Sequence, residues 1–225
     1  MRLVAHRGFA STAPENTLSA LESAAESGAD AVEFDVRRCG SSELVVVHDE
    51  TLDRTTDGTG PVAETPFEDL RARTVLGTTE RIPTFREALE AVPSSLEIHV
   101  ELKETGVAAD ALATVAETVD RDRHGRVLLT SFLPSEIRTV RDRDPDQPVG
   151  VLASRRLEAP VTRAVELGCD VIGGNVPRCL PTSFVARARA VDLEVLAWTI
   201  GRRTTAKLLE KRGVDWMCAD RPIRL

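Results

Sequence analysis

Ionisable side chains stand at the ends of short apolar, β-branched runs in the first fifty residues of the chain. They are two histidines, two carboxylates and an arginine: His6, Arg7, Glu33, Asp35 and His48. Short apolar runs of this kind are typical of buried strands, and an α/β barrel carries its catalytic groups at the carboxyl ends of its strands. The pattern therefore predicts that these side chains converge at one end of a barrel.

Glu33 and Asp35 are two residues apart in a predicted strand, so their side chains point to the same face of the sheet. The same spacing separates Glu101 from Lys103 in a later run. Carboxylates are costly to bury unless they are paired or bind a metal, and three of them facing one point suit a hard divalent cation. Spacing alone supports a structural salt-bridge network equally well, for instance between Glu101 and Lys103.

The order of the predicted elements indicates an α/β fold, a TIM-type (β/α)8 barrel. Apolar runs alternate with amphipathic segments, and a right-handed alternation of this kind closes into a barrel. The predicted barrel strands are at about 3–6, 31–36, 97–103, 126–131, 149–152, 170–173, 194–199 and 216–219.

One run breaks this alternation and predicts an extra β-hairpin. Residues 43–48 form an apolar run only six residues after the strand at 31–36, whereas a parallel return needs about a dozen residues or more. The hairpin returns His48 to the rim of the barrel. After it, a small cap segment is expected at about 50–82, with a short helix at 67–73.

Several short motifs occur in a set order along the chain. They are His6-Arg7-Gly8, Pro14-Glu15-Asn16-Thr17, Glu33-Phe34-Asp35-Val36, His48-Asp49 followed by Leu52-Asp53-Arg54-Thr55-Thr56, Glu101-Leu102-Lys103, Ser131-Phe132, Trp198-Thr199, and the closing Gly213-Val214-Asp215 and Ala219-Asp220-Arg221-Pro222. The ordered set resembles the glycerophosphodiester phosphodiesterases, a family of phospholipase C-like TIM barrels, over essentially the whole chain. The resemblance implies hydrolysis of a glycerophosphodiester to sn-glycerol 3-phosphate and an alcohol.

Such a reaction needs charge neutralisation at the phosphate, one base and one acid. Glu33, Asp35 and Glu101 are the predicted ligands of one divalent cation. An all-carboxylate site favours Mg²⁺ or Ca²⁺ over Zn²⁺, and Mn²⁺ is also compatible. Arg7 and Lys103 are the cationic side chains expected at the phosphate.

His6 and His48 are the predicted acid and base. The ordinary pKa of imidazole, about 6.5, suits proton transfer near neutrality, and the resemblance implies the same role for both. The sequence leaves open which histidine is the acid. It also leaves open whether water attacks directly or a glycerol hydroxyl attacks first to form a cyclic intermediate.

Three further residues are candidates for substrate contact. Glu15 is either a carboxylate favoured in the first turn of a helix that Asn16 caps or, as the resemblance implies, a polar contact at the metal or substrate. Phe132 and Trp198 are either packed core aromatics or walls of the substrate pocket, and the resemblance favours the pocket. His99 is expected one layer deeper in the barrel, as a core histidine.

Composition sets the remaining expectations. The chain has 225 residues, of which 42% are hydrophobic and 29% charged, which suits one domain over residues 1–225. A net charge of −7 argues against nucleic acid as a partner. The chain contains no run of about 18 apolar residues, so no membrane span is predicted. A strand follows directly after Met1-Arg2, with no apolar signal region, which predicts a cytoplasmic protein. We expect a small-molecule substrate, no stable membrane association, and a monomer or homodimer.

The four cysteines are widely spaced, with no Cys-x-x-Cys pair: Cys39, Cys169, Cys179 and Cys218. This spacing argues against a zinc site and against a disulfide framework. It predicts isolated thiols that are buried or half-buried.

Two rival functions remain open. The first is a lysophospholipase D or another lipid phosphodiesterase on the same fold, which needs an apolar rim or a membrane-binding surface; no amphipathic membrane helix is obvious. The second is a non-catalytic barrel that binds phosphodiesters, which the presence of both histidines and all three carboxylates disfavours.

Overall fold

The computed structural model describes residues 1–153 and 158–225. The strands in these ranges form one sheet. In chain order they are β1 (Arg2–His6), β2 (Ala31–Arg38), β3 (Leu44–Val46), β4 (Glu97–Leu102), β5 (Val127–Ser131), β6 (Val149–Ala153), β7 (Val171–Asn175), β8 (Glu194–Trp198) and β9 (Trp216–Ala219).

Eight of these strands run parallel and close into a barrel. The hydrogen-bonded order is β1-β9-β8-β7-β6-β5-β4-β2, and β1 also pairs with β2 to close the ring. In this register Val4 lies opposite Ala31 on one side and opposite Cys218 on the other. The closure confirms the predicted TIM-type (β/α)8 barrel.

Helices follow most of the barrel strands. In chain order they are α1 (Leu18–Ser23), α2 (Phe67–Arg71), α3 (Phe85–Ala91), α4 (Ala108–Thr118), α5 (Arg121–His124), α6 (Pro134–Arg143), α7 (Pro160–Glu166), α8 (Val176–Cys179), α9 (Thr182–Arg189) and α10 (Arg203–Lys211). Within the described ranges, none of these helices has the length and apolar character needed to cross a membrane.

The strand side chains alternate between the barrel interior and the helical layer, as a period of two requires. An apolar layer fills the interior: Val4, Ala31, Leu128, Leu152, Val171, Leu196, Trp216 and Cys218. His99 is 1% exposed, and its ring meets the edge of Trp216 at a centroid distance of 4.7 Å, which confirms the predicted core histidine. Residues further along the same strands point inward above this layer, at the carboxyl ends.

The extra strand β3 pairs antiparallel with β2 outside the barrel, with Val46 opposite Val36. The predicted hairpin is therefore confirmed. Arg37 Nε donates a hydrogen bond of 2.8 Å to the carbonyl of His48, which fixes the end of the hairpin at the rim. The segment after β3 contains α2, which confirms the predicted short helix. Together with the hairpin it forms a small apolar cluster: Cys39, Val45, Val47, Leu52, Val62, Leu70, Val75 and Ile82.

Candidate active site

The turn after β1 brings the first predicted site residues to the end of the barrel. Arg7 and Gly8 both have positive φ, 51° and 74°, a backbone conformation that favours glycine. A Cβ on Gly8 would lie 2.6 Å from the backbone carbon of Ala20, so only glycine fits there. The turn places the Arg7 backbone N–H 3.0 Å from Glu33 Oε2.

Glu33, Asp35 and Glu101 form a buried carboxylate cluster. One oxygen from each lies within 4.8 Å of the other two. Asp35 and Glu101 face each other directly in the pairing of β2 with β4, so the parallel register itself builds the cluster. The arrangement matches the three-carboxylate group that spacing along two separate strands predicts.

Two cations flank the cluster. Lys103 Nζ lies 2.6 Å from Glu101 Oε1 and 3.4 Å from Asp35 Oδ1, and Arg7 Nε lies 3.2 Å from Asp35 Oδ2. The structural salt bridge between Glu101 and Lys103 is therefore present together with the carboxylate cluster. Three carboxylates against two cations leave one excess negative charge.

Burial, together with the neighbouring charges, shifts the pKa values of the carboxyl groups. Burial raises the pKa of Glu33 to about 7, and repulsion from Asp35 adds to the rise. Burial alone would also raise the pKa of Asp35, but attraction to Lys103 and Arg7 outweighs it and lowers that pKa. Glu33 therefore keeps its proton to a higher pH than an ordinary carboxyl group does.

The donor set fits a divalent cation. Asp35 Oδ1 is buried and accepts no hydrogen bond from any residue in the described ranges, whereas buried polar atoms are normally satisfied. Hard cations such as Mg²⁺ and Ca²⁺ take carboxylate oxygens as ligands. A cation on the three carboxylates would satisfy this oxygen and offset the excess negative charge.

Asn16 holds Asp35 from the other side. Its Nδ2 donates to Asp35 Oδ2 at 3.0 Å, and its Oδ1 accepts from the Asp35 backbone N–H at 3.3 Å. The prediction that Asn16 caps the following helix is wrong, because α1 begins at Leu18 and Thr17 is its N-cap. Sequence alone could not distinguish the two roles, because asparagine suits both a cap and a buried amide clamp.

His6 is oriented by a carboxylate from the opposite end of the chain. Its Nδ1 lies 2.5 Å from Asp220 Oδ1, and a carboxylate can only accept, so Nδ1 carries the hydrogen. This leaves Nε2 directed toward Glu33, 3.9 Å from Oε2. The pairing of Asp220 with His6 was not predicted from the sequence, in which the only signal was a carboxylate directly after the last strand.

His48 is oriented through a chain of alternating charges. Its Nδ1 lies 2.6 Å from Asp49 Oδ1, and Arg54 contacts both Asp49 and Glu15, at 2.5 Å and 2.8 Å. Glu15 in turn accepts from Arg7 at 2.8 Å. Glu15 precedes α1, so it is not a first-turn carboxylate; it links the His48 loop to Arg7.

The two histidines have pKa values shifted in opposite directions. Burial lowers the pKa of His6, but attraction to Glu33 and the hydrogen bond to Asp220 outweigh burial, so the pKa is raised. Burial also lowers the pKa of His48, and its attraction to Asp35 and its hydrogen bond to Asp49 do not reverse the shift. The unequal environments are those expected of an acid and base pair.

A small pocket opens beside the carboxylate cluster. Its cavity is about 40 Å³, and its lining includes His6, Glu33, Glu101 and the aromatic rings of Phe132 and Trp198. The two rings meet edge to face at a centroid distance of 5.6 Å. Both aromatic side chains therefore line a pocket beside the carboxylate cluster, as predicted for a substrate pocket. His48 is not part of this lining, and it interacts with the cluster through its electrostatic attraction to Asp35.

The orienting carboxylates give a testable pair of pKa shifts. Asp220 raises the pKa of His6, and Asp49 raises that of His48. We expect Asp220→Asn to lower the pKa of His6 only, and Asp49→Asn to lower that of His48 only. NMR titration of the imidazole Cε1–H signals in metal-free protein measures both, each variant being the control for the other. A shift of both histidines in either variant would contradict the separate pairing.

The structure thus combines a closed (β/α)8 barrel with a cation-flanked carboxylate cluster and two carboxylate-paired histidines at its strand ends, where barrel enzymes carry their active sites. The model of the glycerophosphoryl diester phosphodiesterase family matches residues 6–224. The chain belongs to this family, and it is therefore an enzyme.

Individual relatives of the same family are similar to this chain over nearly all of its residues. A glycerophosphodiester phosphodiesterase from Bacillus altitudinis is 30% identical, with 99% of this chain and 96% of the relative covered. One from Caldanaerobacter subterraneus subsp. tengcongensis is 29% identical, with 98% of this chain and 94% of the relative covered. A solved phosphodiesterase from Oleispira antarctica, in complex with the product sn-glycerol-3-phosphate, superposes with a TM-score of 0.90 at 29% identity, covering 99% of this chain and 94% of that one.

Proposed function

We propose that this enzyme hydrolyses glycerophosphodiesters to sn-glycerol 3-phosphate and an alcohol, with one divalent cation and two histidines. The observation that carries the proposal is the buried cluster of Glu33, Asp35 and Glu101, flanked by Arg7 and Lys103. The product bound to the Oleispira antarctica relative supports the same substrate class.

The charge of the site suits a phosphodiester monoanion. The three carboxylates and the two flanking cations carry one excess negative charge. A bound divalent cation would make the net charge of the site positive. Mg²⁺ or Ca²⁺ fits the all-oxygen donor set, and Mn²⁺ is also compatible. When bound, such a cation supplies Lewis-acid polarisation of a phosphoryl oxygen.

The protein's own residues supply binding and proton transfer. Arg7 and Lys103 donate to the non-bridging phosphate oxygens, and their carboxylate partners hold both side chains in place before substrate arrives. His6 and His48 act as general acid and base. Asp220 and Asp49 set the tautomer of each imidazole, which leaves Nε2 of each ring for the reacting proton.

The aromatic wall is the proposed contact for the organic part of the substrate. Phe132 and Trp198 line the pocket next to His6, so their rings can exclude water from the reacting phosphate. Glu15 acts through Arg7, which it holds by an ion pair. One domain over residues 1–225, a cytoplasmic location and a monomeric or homodimeric state stay predictions from the sequence.

The test is release of glycerol 3-phosphate from glycerophosphocholine and glycerophosphoethanolamine. We expect EDTA to lower the rate at least about 100-fold, and Mg²⁺, Ca²⁺ or Mn²⁺ to restore it. EDTA saturated with the same ion is the control for the chelator. Undiminished release after EDTA would contradict metal dependence, and no release from folded protein with any ion would favour a lipid phosphodiesterase or a binding protein.

A further inference from the structure

Cys218 lies in the pocket but has no part in the proposed reaction. It is in β9 with its side chain inside the barrel, and it is 3% exposed. Its side chain lines the same pocket as His6 and Glu33. A thiol beside an imidazole and a carboxylate can do more than fill space, because thiolate sulfur is a strong ligand for borderline metal ions.

The three side chains are spaced for a metal ion. One ligand atom from each of His6, Glu33 and Cys218 lies within 4.8 Å of the other two, and His6 Nε2 is 3.9 Å from Glu33 Oε2. Tetrahedral Zn²⁺, with bonds of about 2.0–2.3 Å, separates its ligand atoms by about 3.3–3.8 Å. Closure around an ion therefore needs side-chain shifts of about 1 Å or less.

A second, independent feature points to a metal ligand. Asp220 binds His6 Nδ1 at 2.5 Å, which fixes the ring with Nε2 facing Glu33 and leaves Nε2 of the neutral ring as the nitrogen that could bind a metal. Histidines that bind metals almost always donate their other ring N–H to a carboxylate, carbonyl or water in this way. His6 is thus oriented for coordination as well as for proton transfer.

The donor types distinguish this group from the three-carboxylate cluster. One imidazole nitrogen, one carboxylate oxygen and one thiolate sulfur suit Zn²⁺, Co²⁺ or Cd²⁺, whereas Mg²⁺ and Ca²⁺ prefer oxygen alone. Cysteine spacing along the chain does not reveal these ligands, because they come from β1, β2 and β9 and meet only when the barrel closes.

We propose that a thiophilic divalent ion, Zn²⁺ in the first place, binds His6 Nε2, one Glu33 oxygen and Cys218 Sγ and inhibits the enzyme. On binding, the Cys218 thiol loses its proton to solvent and the sulfur forms the bond to the metal. The ion occupies His6 Nε2 and takes Glu33 from the hard-cation cluster. The site rests on the geometry, whereas the inhibition also rests on the proposed role of His6.

Cobalt absorption tests the site without substrate. Metal-free wild-type protein titrated with Co²⁺ should develop a thiolate-to-cobalt charge-transfer band in the near ultraviolet, which Zn²⁺ then abolishes by displacement. Cys218→Ser should lack the band and bind Zn²⁺ at least about tenfold more weakly. Cys169→Ser is the matched control, because it removes a half-buried thiol outside the pocket, and it should keep the band. A full band in Cys218→Ser, or none in the wild type, would overturn the proposal.

Inhibition is measured separately, with each variant compared with its own rate in Mg²⁺ alone. We expect Zn²⁺ to inhibit wild type and Cys169→Ser alike, and Cys218→Ser to require at least about tenfold more Zn²⁺. Equal inhibition of all three proteins would place the inhibitory ion elsewhere and contradict the proposal. A cobalt band in protein that hydrolyses no glycerophosphodiester would contradict the proposed function and leave the metal site standing.

Discussion

Glutamine in place of either His6 or His48 should lower kcat by about 10²–10⁴-fold, the usual contribution of a positioned acid or base. Glutamine retains a hydrogen-bonding side chain of similar reach but cannot transfer a proton near neutral pH. The proposed phosphate contacts of Arg7 and Lys103 are left in place, so KM should change much less than kcat. Steady-state kinetics on glycerophosphocholine at saturating Mg²⁺ measure both constants.

His124→Gln is the matched control for these variants. His124 lies at the end of α5, 4.0 Å from Asp144, on the part of the barrel surface that has no role in the proposed site. Its kcat should stay within about twofold of the wild type. The double variant of His6 and His48 should be little worse than the poorer single variant, because the two act in one reaction. Unchanged turnover in both single variants would rule out the assigned mechanism.

Glu33→Gln should make the metal-free protein more stable at pH 8 and remove its stabilisation by the proposed divalent cation. The folded-state pKa of Glu33 is about 7, above the ordinary value of 4.5. A carboxyl with a raised pKa favours the folded state in its protonated form. The wild type therefore loses stability as pH rises from about 4.5 through about 7, and the neutral amide does not.

The size of this effect is measurable by thermal unfolding. A pKa difference of this size corresponds to about 3 kcal/mol in the free energy of unfolding. For a chain of this length, that is a shift of about 6–12 °C in Tm. The variant should unfold at a higher temperature than the wild type at pH 8 and at a similar temperature at pH 5. Added Mg²⁺ or Ca²⁺ should raise the Tm of the wild type and have little effect on the variant.

Glu22→Gln is the control for the removal of one negative charge. Glu22 is an exposed residue of α1, so its replacement should change neither the pH dependence nor the cation response. A Glu33→Gln variant that is less stable than the wild type at pH 8 would mean that Glu33 is a structural ion-pair partner. A more stable variant at pH 8 would instead show that the Glu33 carboxylate lowers the stability of the metal-free fold while it provides a cation ligand. Such a trade-off is common in active sites.

Local patterns in the sequence predicted the strands, the hairpin and the candidate site residues. The period of two placed Glu33 with Asp35, and Glu101 with Lys103, on the barrel interior, because alternate side chains of a strand share a face. The short interval before the run at 43–48 required the hairpin that returns His48 to the rim. The motifs pointed to the family because they occur in a set order over the whole chain. Any one of them alone would be weak evidence.

Contacts between distant parts of the chain were decided only by the tertiary structure. Asp220 meets His6 across 214 positions, and Asn16 clamps Asp35 because the turn after β1 folds over β2. Cys218 joins His6 and Glu33 because β9 pairs with β1 when the ring closes. Spacing along a strand fixes which face a side chain takes, but the neighbours on that face depend on strand order and register, which only the closed barrel sets.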